Sequence, residues 1–242
     1  MAWDPTTRNR FHTTRWTLVR NASGDDPGAV RRAIEELCAA YWYPLYAWLR
    51  RRGHDADEAQ DLVQDVLGRI CERGIGDVDE DGARFRSFLL AAVRNRSIDI
   101  ARQAGAEKRG GGDVTVPLPD FEDGERRYGE EPSVDLAPDR LFDRGWARTV
   151  LARVFDGLRA EQHQRGRGEV FDRLKAFLIP GWAAEDYRAV AADLGLGEGA
   201  LRVAVHRLRA RFRELLECEV AHTVGDADAV ADEIRWLFRA LA

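Results

Sequence analysis

The chain has 242 residues, of which 45% are hydrophobic and 33% charged, and a formal net charge of −5. This composition is typical of a folded globular protein rather than a disordered one, and the length fits one large domain or two small ones. No apolar run approaches the roughly 20 residues that a membrane-spanning helix requires. The N-terminus lacks the basic and apolar regions of a secretory signal, so we expect a cytoplasmic protein.

Cysteine and histidine are sparse and scattered along the chain. The three cysteines, Cys38, Cys71 and Cys218, lie far apart and form no Cys-x-x-Cys pair. An odd, widely spaced set argues against a disulfide framework and against a structural zinc site. The five histidines show no ligand spacing with them. We therefore expect neither a metal nor a cofactor.

Apolar residues recur at helical spacing almost throughout the chain, and strand signals are scarce. The first three helices are predicted at 28–52, 55–73 and 83–104. Pro44 should kink or interrupt the first helix, because proline removes a backbone donor. Asp55 is a favourable N-cap for the second helix. A stretch rich in glycine and aspartate at 74–82 is predicted to be a loop.

The helical periodicity stops between 105 and 138. This stretch contains three consecutive glycines and four prolines, which is typical of a flexible or extended linker. Helical spacing then returns, and further helices are predicted at 139–158, 168–178, 185–194, 198–222 and 227–241.

The sequence therefore predicts an all-α protein. Two small helical domains are joined by a flexible acidic linker, and the second domain contains a helix-turn-helix. The predicted divisions are an N-terminal arm at 1–27, a first domain at 28–109, the linker at 110–138, a second domain at 139–222 and a C-terminal helical extension at 223–242.

Charge is distributed unevenly along the chain. Residues 84–109 carry seven basic and two acidic side chains, and residues 202–213 carry five arginines and no acid. Residues 113–140, between these segments, carry nine acids and three bases. The net negative charge argues weakly against a nucleic-acid partner, but two basic segments separated by an acidic one favour local binding of nucleic acid.

A short helix, a tight turn and a long helix are predicted between 186 and 207, which is the spacing of a DNA-reading helix-turn-helix. Gly195 supplies the left-handed residue that ends the short helix. The predicted core stripe of the long helix is Leu201, Val205, Leu208, Phe212 and Leu215. The neighbouring face contains Arg202, His206, Arg209 and Arg213. Arginine can bond guanine or neutralise phosphate; the alternative is a solvated arginine face without a ligand.

Two segments of the first domain, Asp61 to Ile70 and Phe85 to Arg102, resemble region 2 of bacterial sigma factors. Followed by an acidic linker and a helix-turn-helix in the place of region 4, their order is similar to that of the small extracytoplasmic-function (ECF) group. The resemblance implies a protein without enzymatic activity of its own. Such a protein binds core RNA polymerase and directs promoter-specific transcription initiation at the −10 and −35 elements.

The resemblance also implies roles for individual residues. The surface that would bind polymerase contains Asp61, Gln64, Asp65 and Arg69. The segment that would melt and read the −10 element contains Arg94, Asn95, Arg96, Asp99 and Arg102. The −35 element would be contacted by Arg202, Val203, His206, Arg207 and Arg209. Val203 is apolar where the family often has a hydroxyl or basic residue, so it either touches a thymine methyl or reads nothing.

The implied partners are promoter DNA and core RNA polymerase, the latter through its β′ clamp helices and its β flap. An anti-sigma factor or a regulatory kinase stays open as a regulator. The resemblance further implies that the acidic linker threads through polymerase toward the RNA exit path. Three segments depart from the family pattern, namely an insertion at 165–182, the C-terminal extension and the N-terminal arm from Trp3 to Val19.

Two other classes of function stay open at this stage. One is a two-domain helix-turn-helix regulator that acts without polymerase and whose N-terminal helices dimerise or bind an effector. The other is a metal-dependent or acid–base enzyme. Its candidate cluster, Asp57, Asp61 and Asp65, repeats every four residues and has no histidine or cysteine partner nearby.

Overall fold

The computed structural model describes residues 27–73, 85–103, 121–130, 136–179, 186–224 and 228–242. Every regular element in these ranges is helical, which confirms the all-α prediction. None of the helices described there is long and apolar enough to cross a membrane. The predicted arm up to residue 26, the 74–82 loop and the linker segments 110–120 and 131–135 lie outside the described residues.

Nine α-helices and one short 3-10 helix make up the described part of the chain. They are α1 (Pro27–Arg51), α2 (Ala56–Arg73), α3 (Phe85–Gln103), α4 (Phe121–Glu130), α5 (Pro138–Gln164), α6 (Gly168–Leu174), the 3-10 helix Lys175–Phe177, α7 (Tyr187–Asp193), α8 (Glu198–Ala221) and α9 (Ala229–Leu241).

Helix α1 forms the centre of the first half of the fold and packs against α2, α3 and α4. It continues through Pro44, so the predicted interruption is wrong. Its C-terminal half is strongly aromatic, and the side chains of Tyr41, Trp48 and Leu49 are almost completely buried. Burial of large aromatic and aliphatic side chains supplies much of the free energy that holds such a core together.

The predicted linker is not extended throughout, because residues 121–130 form the helix α4. Helix α4 packs on α1, where Glu125 accepts hydrogen bonds from Tyr46 and Arg50. Helical periodicity does not predict this helix, because it has few apolar residues to form a stripe. Its two glycines also lower its intrinsic helix stability. Contacts with α1 therefore stabilise α4 where its own sequence does not.

The chain folds into two compact units. One unit contains the described residues up to Thr149 together with Val220–Ala242, and the other contains Val150–Glu219. This division differs from the predicted one, because the boundaries fall within α5 and α8 and the C-terminal extension belongs to the first unit.

A buried arginine explains why α9 belongs to the first unit. Arg86, in the first turn of α3, donates from Nε to Glu233 on α9 at 2.6 Å and from Nη1 to Asp143 on α5 at 2.6 Å. Its guanidinium also lies over the rings of Trp146 and Trp236, 5.4 and 4.8 Å from their centroids. Burial raises the pKa of Asp143 although Arg86 favours its charged form. Removal of Arg86 would leave the carboxylates of Glu233 and Asp143 without their cation, and an unpaired buried charge is strongly destabilising.

The second unit has a core between α5 and α8. The rings of Phe155 and Phe212 pack with their centroids 5.1 Å apart. The buried stripe of α8 agrees with the prediction at Leu201, Val205, Leu208 and Phe212. It then continues at Leu216, whereas Leu215 is half-buried.

The segment expected to be an insertion packs into the second unit. Phe171 and Leu174 of α6 and Phe177 of the 3-10 helix are buried. The Phe177 ring lies 4.5 Å from that of Tyr187 at the start of α7, and its carbonyl accepts a hydrogen bond from Arg209 of α8 at 2.8 Å. The insertion therefore supports both helices of the predicted helix-turn-helix.

Candidate nucleic-acid interface

Helix α2 carries the residues predicted to bind polymerase. Asp55 caps its first turn by accepting a hydrogen bond from the backbone N–H of Glu58 at 2.8 Å, as the sequence predicts. Asp61 and Arg69 are exposed, whereas Gln64 is half-buried. These three side chains share the outer side of a helix whose other side buries Leu62, Val63, Val66, Leu67 and Ile70.

Asp65, the fourth residue of this set, is half-buried and holds two arginines. One carboxylate oxygen accepts from Nε of Arg69 at 3.0 Å, one turn further along α2. The other accepts from Nε of Arg96 on α3 at 2.5 Å. Asp65 thus joins the predicted polymerase-binding surface to the helix predicted to read the −10 element.

Helix α3 presents its predicted −10 residues on the surface. Arg94, Asn95, Asp99 and Arg102 are exposed, and Arg96 is half-buried. The opposite side of α3 is anchored by Phe85, Leu89 and Val93 in the core. An amide and a carboxylate one turn apart, with arginines beside them, can hydrogen-bond base edges and neutralise phosphates.

Two predicted −10 arginines already have carboxylate partners within the protein. Nη2 of Arg94 donates to Asp139 of α5 at 2.9 Å, and the same carboxylate accepts from the indole nitrogen of Trp48 at 3.0 Å. Arg96 is paired with Asp65. The Arg94–Asp139 pair is exposed, and such pairs are weak and easily exchanged for a phosphate partner, whereas the Arg96–Asp65 pair is partly buried.

The structure adds two apolar residues to this surface that the sequence analysis missed. Ile98 and Ile100, on either side of Asp99, are 44% and 38% exposed. The sequence pattern could have identified Ile98, which falls outside the apolar stripe of Phe85, Leu89 and Val93. Ile100 continues that stripe two turns after Val93 and is nevertheless exposed near the end of α3. An exposed branched side chain beside polar base-reading groups can contact an unstacked base.

The helices α7 and α8 and their turn lie where the sequence predicts them. Asp186 caps α7 by accepting from the backbone N–H of Arg188 at 3.4 Å. Gly195 adopts φ +64°, the left-handed conformation expected at the end of a helix. Helix α8 begins three residues later, at Glu198.

The exposed side of α8 contains four of the predicted −35 residues. Arg202, Val203, His206 and Arg207 are all exposed, and Val203 is 51% exposed. Arg202 donates to Glu198 from Nε and Nη2 at 3.1 and 2.6 Å, and it lies 5.0 Å from the centroid of the Tyr187 ring. These contacts orient Arg202 along α8.

Two arginines of α8 make contacts within the protein. Arg209 is half-buried and donates to the Phe177 carbonyl. Arg211 is held by Glu161 at 2.5 and 3.0 Å and by Glu214 at 2.8 Å. The Arg211 guanidinium lowers the pKa of Glu161, so this pair is charged at neutral pH. The exposed cationic face is therefore narrower than the spacing of arginines suggests.

Comparison with known proteins agrees with this geometry. Residues 39–107 match the family described as Sigma-70 region 2, a range that runs from the middle of α1 to just beyond α3. The chain is also 26% identical over 167 residues to the ECF RNA polymerase sigma factor ShbA of Streptomyces griseus subsp. griseus, which covers 66% of this chain and 74% of that protein. No solved structure matches the chain. Residues 39–107 thus match a sigma-70 region 2 domain, and over a longer stretch the chain is similar to an ECF RNA polymerase sigma factor.

Proposed function

We propose that this protein is an ECF-type sigma factor that binds core RNA polymerase and directs promoter-specific transcription initiation. The observation that carries the proposal is the region 2 match across α1, α2 and α3. The same three helices form one packed unit with polar, exposed residues on α2 and α3. The role consists of binding and positioning, and it requires no catalytic group of the protein's own.

Polymerase binding is assigned to the outer side of α2. Asp61, Gln64, Asp65 and Arg69 are accessible there without disturbing the core. The two acids suit a basic partner surface, and we propose that this partner is the β′ clamp helices. Charged and polar groups on a rigid helix give a specific surface whose affinity depends on salt.

Recognition of the −10 element is assigned to α3. Asn95 and Asp99 would hydrogen-bond the edge of an unpaired base, and Arg94, Arg96 and Arg102 would follow the strand backbone. The paired carboxylates Asp139 and Asp65 neutralise two of these arginines in the free protein. We infer that free protein binds promoter DNA weakly, because both pairs must be exchanged for phosphates.

Recognition of the −35 element is assigned to α7 and α8 as region 4. The exposed positions Arg202, Val203, His206 and Arg207 are the proposed contacts in the major groove. We propose that Arg209 contacts at most the DNA backbone, because its Nε already donates a hydrogen bond to the Phe177 carbonyl. We propose that the β flap of polymerase binds this unit.

The first test is whether the protein forms a complex with core polymerase. We expect a stable one-to-one complex in size-exclusion chromatography. We also propose that the protein is located in the cytoplasm, where polymerase acts. The region 2 match disfavours a regulator that acts without polymerase. A dimer that binds palindromic DNA and ignores core polymerase would contradict the proposal.

A further inference from the structure

The C-terminal half of α1 carries a surface that none of the assignments above uses. We define the α1 aromatic–arginine face as Trp42, Tyr43, Tyr46 and Arg50. All four side chains contact α4, and the three aromatic residues are at least 94% buried with α4 in place. Arg51 and Arg52 follow Arg50 directly in the sequence, so this end of the helix is strongly basic.

Helix α4 occupies this face with an acidic group and an aromatic ring. The Glu125 carboxylate accepts from the Tyr46 hydroxyl and, at 2.9 Å, from Nη2 of Arg50. The Tyr128 ring centroid lies 5.2 Å from the guanidinium carbons of both Arg50 and Arg51. A carboxylate on a guanidinium and a ring stacked beside it reproduce the two contacts that a nucleotide makes, through its phosphate and its base.

The close approach of α4 depends on one glycine. A Cβ atom at Gly124 would lie 2.7 Å from two ring carbons of Trp42. At Gly129, on the same helix, a Cβ atom would meet nothing within 4 Å. Two glycines also leave a ten-residue helix with little intrinsic stability, so α4 is held in place by its contacts with α1.

We propose that the α1 aromatic–arginine face is a further binding surface for single-stranded DNA, which α4 covers in the free protein. Stacking aromatic side chains beside arginines are the general chemistry of single-strand binding. Nε of Arg50 has no hydrogen-bond partner among the described residues, so a donor is left for an incoming phosphate. The proposal concerns residues outside the −10 and −35 contacts, but its place in promoter opening rests on the proposed function.

The experiment compares two leucine substitutions in the full chain. Gly124→Leu should push α4 off Trp42, whereas Gly129→Leu is the matched control with the same change in helix propensity. Binding of a fluorescein-labelled oligothymidylate is measured by anisotropy without polymerase. We expect Gly124→Leu to bind at least about fivefold more tightly than wild type, the effect of stacking one base, and more weakly as salt rises. Gly129→Leu should bind like wild type.

Two further variants guard against misfolding and against binding elsewhere. Glu125→Ala removes only the carboxylate that α4 places on Arg50. This variant should also bind oligothymidylate more tightly than wild type, but by a smaller factor than Gly124→Leu. Arg50→Ala added to Gly124→Leu should abolish the gain. Unchanged affinity in both Gly124→Leu and Glu125→Ala, or a gain that survives Arg50→Ala, would overturn the proposal. Tighter binding of oligouridylate than of oligothymidylate would overturn the assignment to DNA. The sigma function itself is tested separately, with polymerase present.

Discussion

Arg96 on α3 donates from Nε to Oδ2 of Asp65 on α2 at 2.5 Å. The first residue is predicted to contact the −10 element and the second to bind polymerase, so one ion pair connects the two surfaces. Both side chains are only partly exposed, 22% and 32% respectively. A partner that takes the Asp65 carboxylate leaves Arg96 available for a phosphate. Under the proposed assignments, this pair would couple polymerase binding to DNA binding.

Asp65→Ala should therefore have opposite effects on the two partners. We expect its affinity for core polymerase to fall about tenfold, the equivalent of about 1.4 kcal/mol. Weak binding of free protein to non-specific DNA should rise, because Arg96 loses its partner. Titration of labelled polymerase and labelled DNA measures both. Asp57→Ala, an exposed acid in the first turn of the same helix, is the control. A change of equal sign for both partners would count against the coupling.

Arg86 should be essential for the stability of the first unit. We expect Arg86→Met to lower the free energy of unfolding by about 3–5 kcal/mol, because Glu233 is left buried without its cation. The double variant Arg86→Met, Glu233→Met should recover much of this loss. Urea denaturation followed by circular dichroism measures both. A single variant as stable as wild type would show that the buried pair is not needed.

Acid should loosen the contact between α4 and α1. The hydrogen bond from Tyr46, with further help from Arg50, lowers the pKa of Glu125. A lowered pKa in the folded state means that the contact stabilises fully above the ordinary glutamate range and is lost as pH falls through the folded pKa. Hydrogen exchange of the α4 amides, corrected for intrinsic rates, should therefore speed up in acid. Glu125→Gln should remove this pH dependence; an unchanged profile would refute the explanation.

The two kinds of arginine on α8 should behave differently when replaced. Arg207→Ala should weaken −35 binding by about 1–3 kcal/mol if it reads a guanine, or reduce the salt dependence by about one phosphate contact. Arg211→Ala should leave promoter selection unchanged and lower thermal stability, since Arg211 joins Glu161 and Glu214. Promoter competition and thermal unfolding separate these effects. Altered promoter selection by Arg211→Ala would mean that its ion pairs open on DNA.

Asp99 should affect the choice of −10 sequence. Asp99→Ala removes the exposed carboxylate between Ile98 and Ile100 while leaving the buried side of α3 intact. We expect relaxed selection at one −10 position with little change in polymerase affinity. Selection from a randomised −10 library measures this outcome. An unaltered selected sequence would mean that Asp99 does not read a base.

Helical periodicity predicted most of the described fold because most helices bury one regular stripe. Phe85, Leu89 and Val93 on α3 are buried as that pattern requires. Helix α4 could not be found in this way, because its stability comes from Tyr46 and Arg50, far away in sequence. The association of α9 with the first unit depends on Arg86 and Glu233, which are 147 positions apart. Spacing along a chain carries no information on such pairs.

The candidate interface was predictable in outline but not in its individual cations. Helical spacing brings the arginines of α8 to neighbouring positions, but it cannot reveal a backbone carbonyl or an acid from another helix. Arg209 meets Phe177 and Arg211 meets Glu161, whereas Arg207 is exposed. Local pattern identifies a cationic helix, and tertiary packing decides which cations face solvent.

The central claim is tested most directly by reconstituted transcription with core RNA polymerase on a genomic promoter library. We predict initiation at a defined set of promoters that share −10 and −35 elements, well above the level given by core polymerase alone. Asp99→Ala and Arg207→Ala should each shift which promoters are used. No initiation above core polymerase alone would contradict the account.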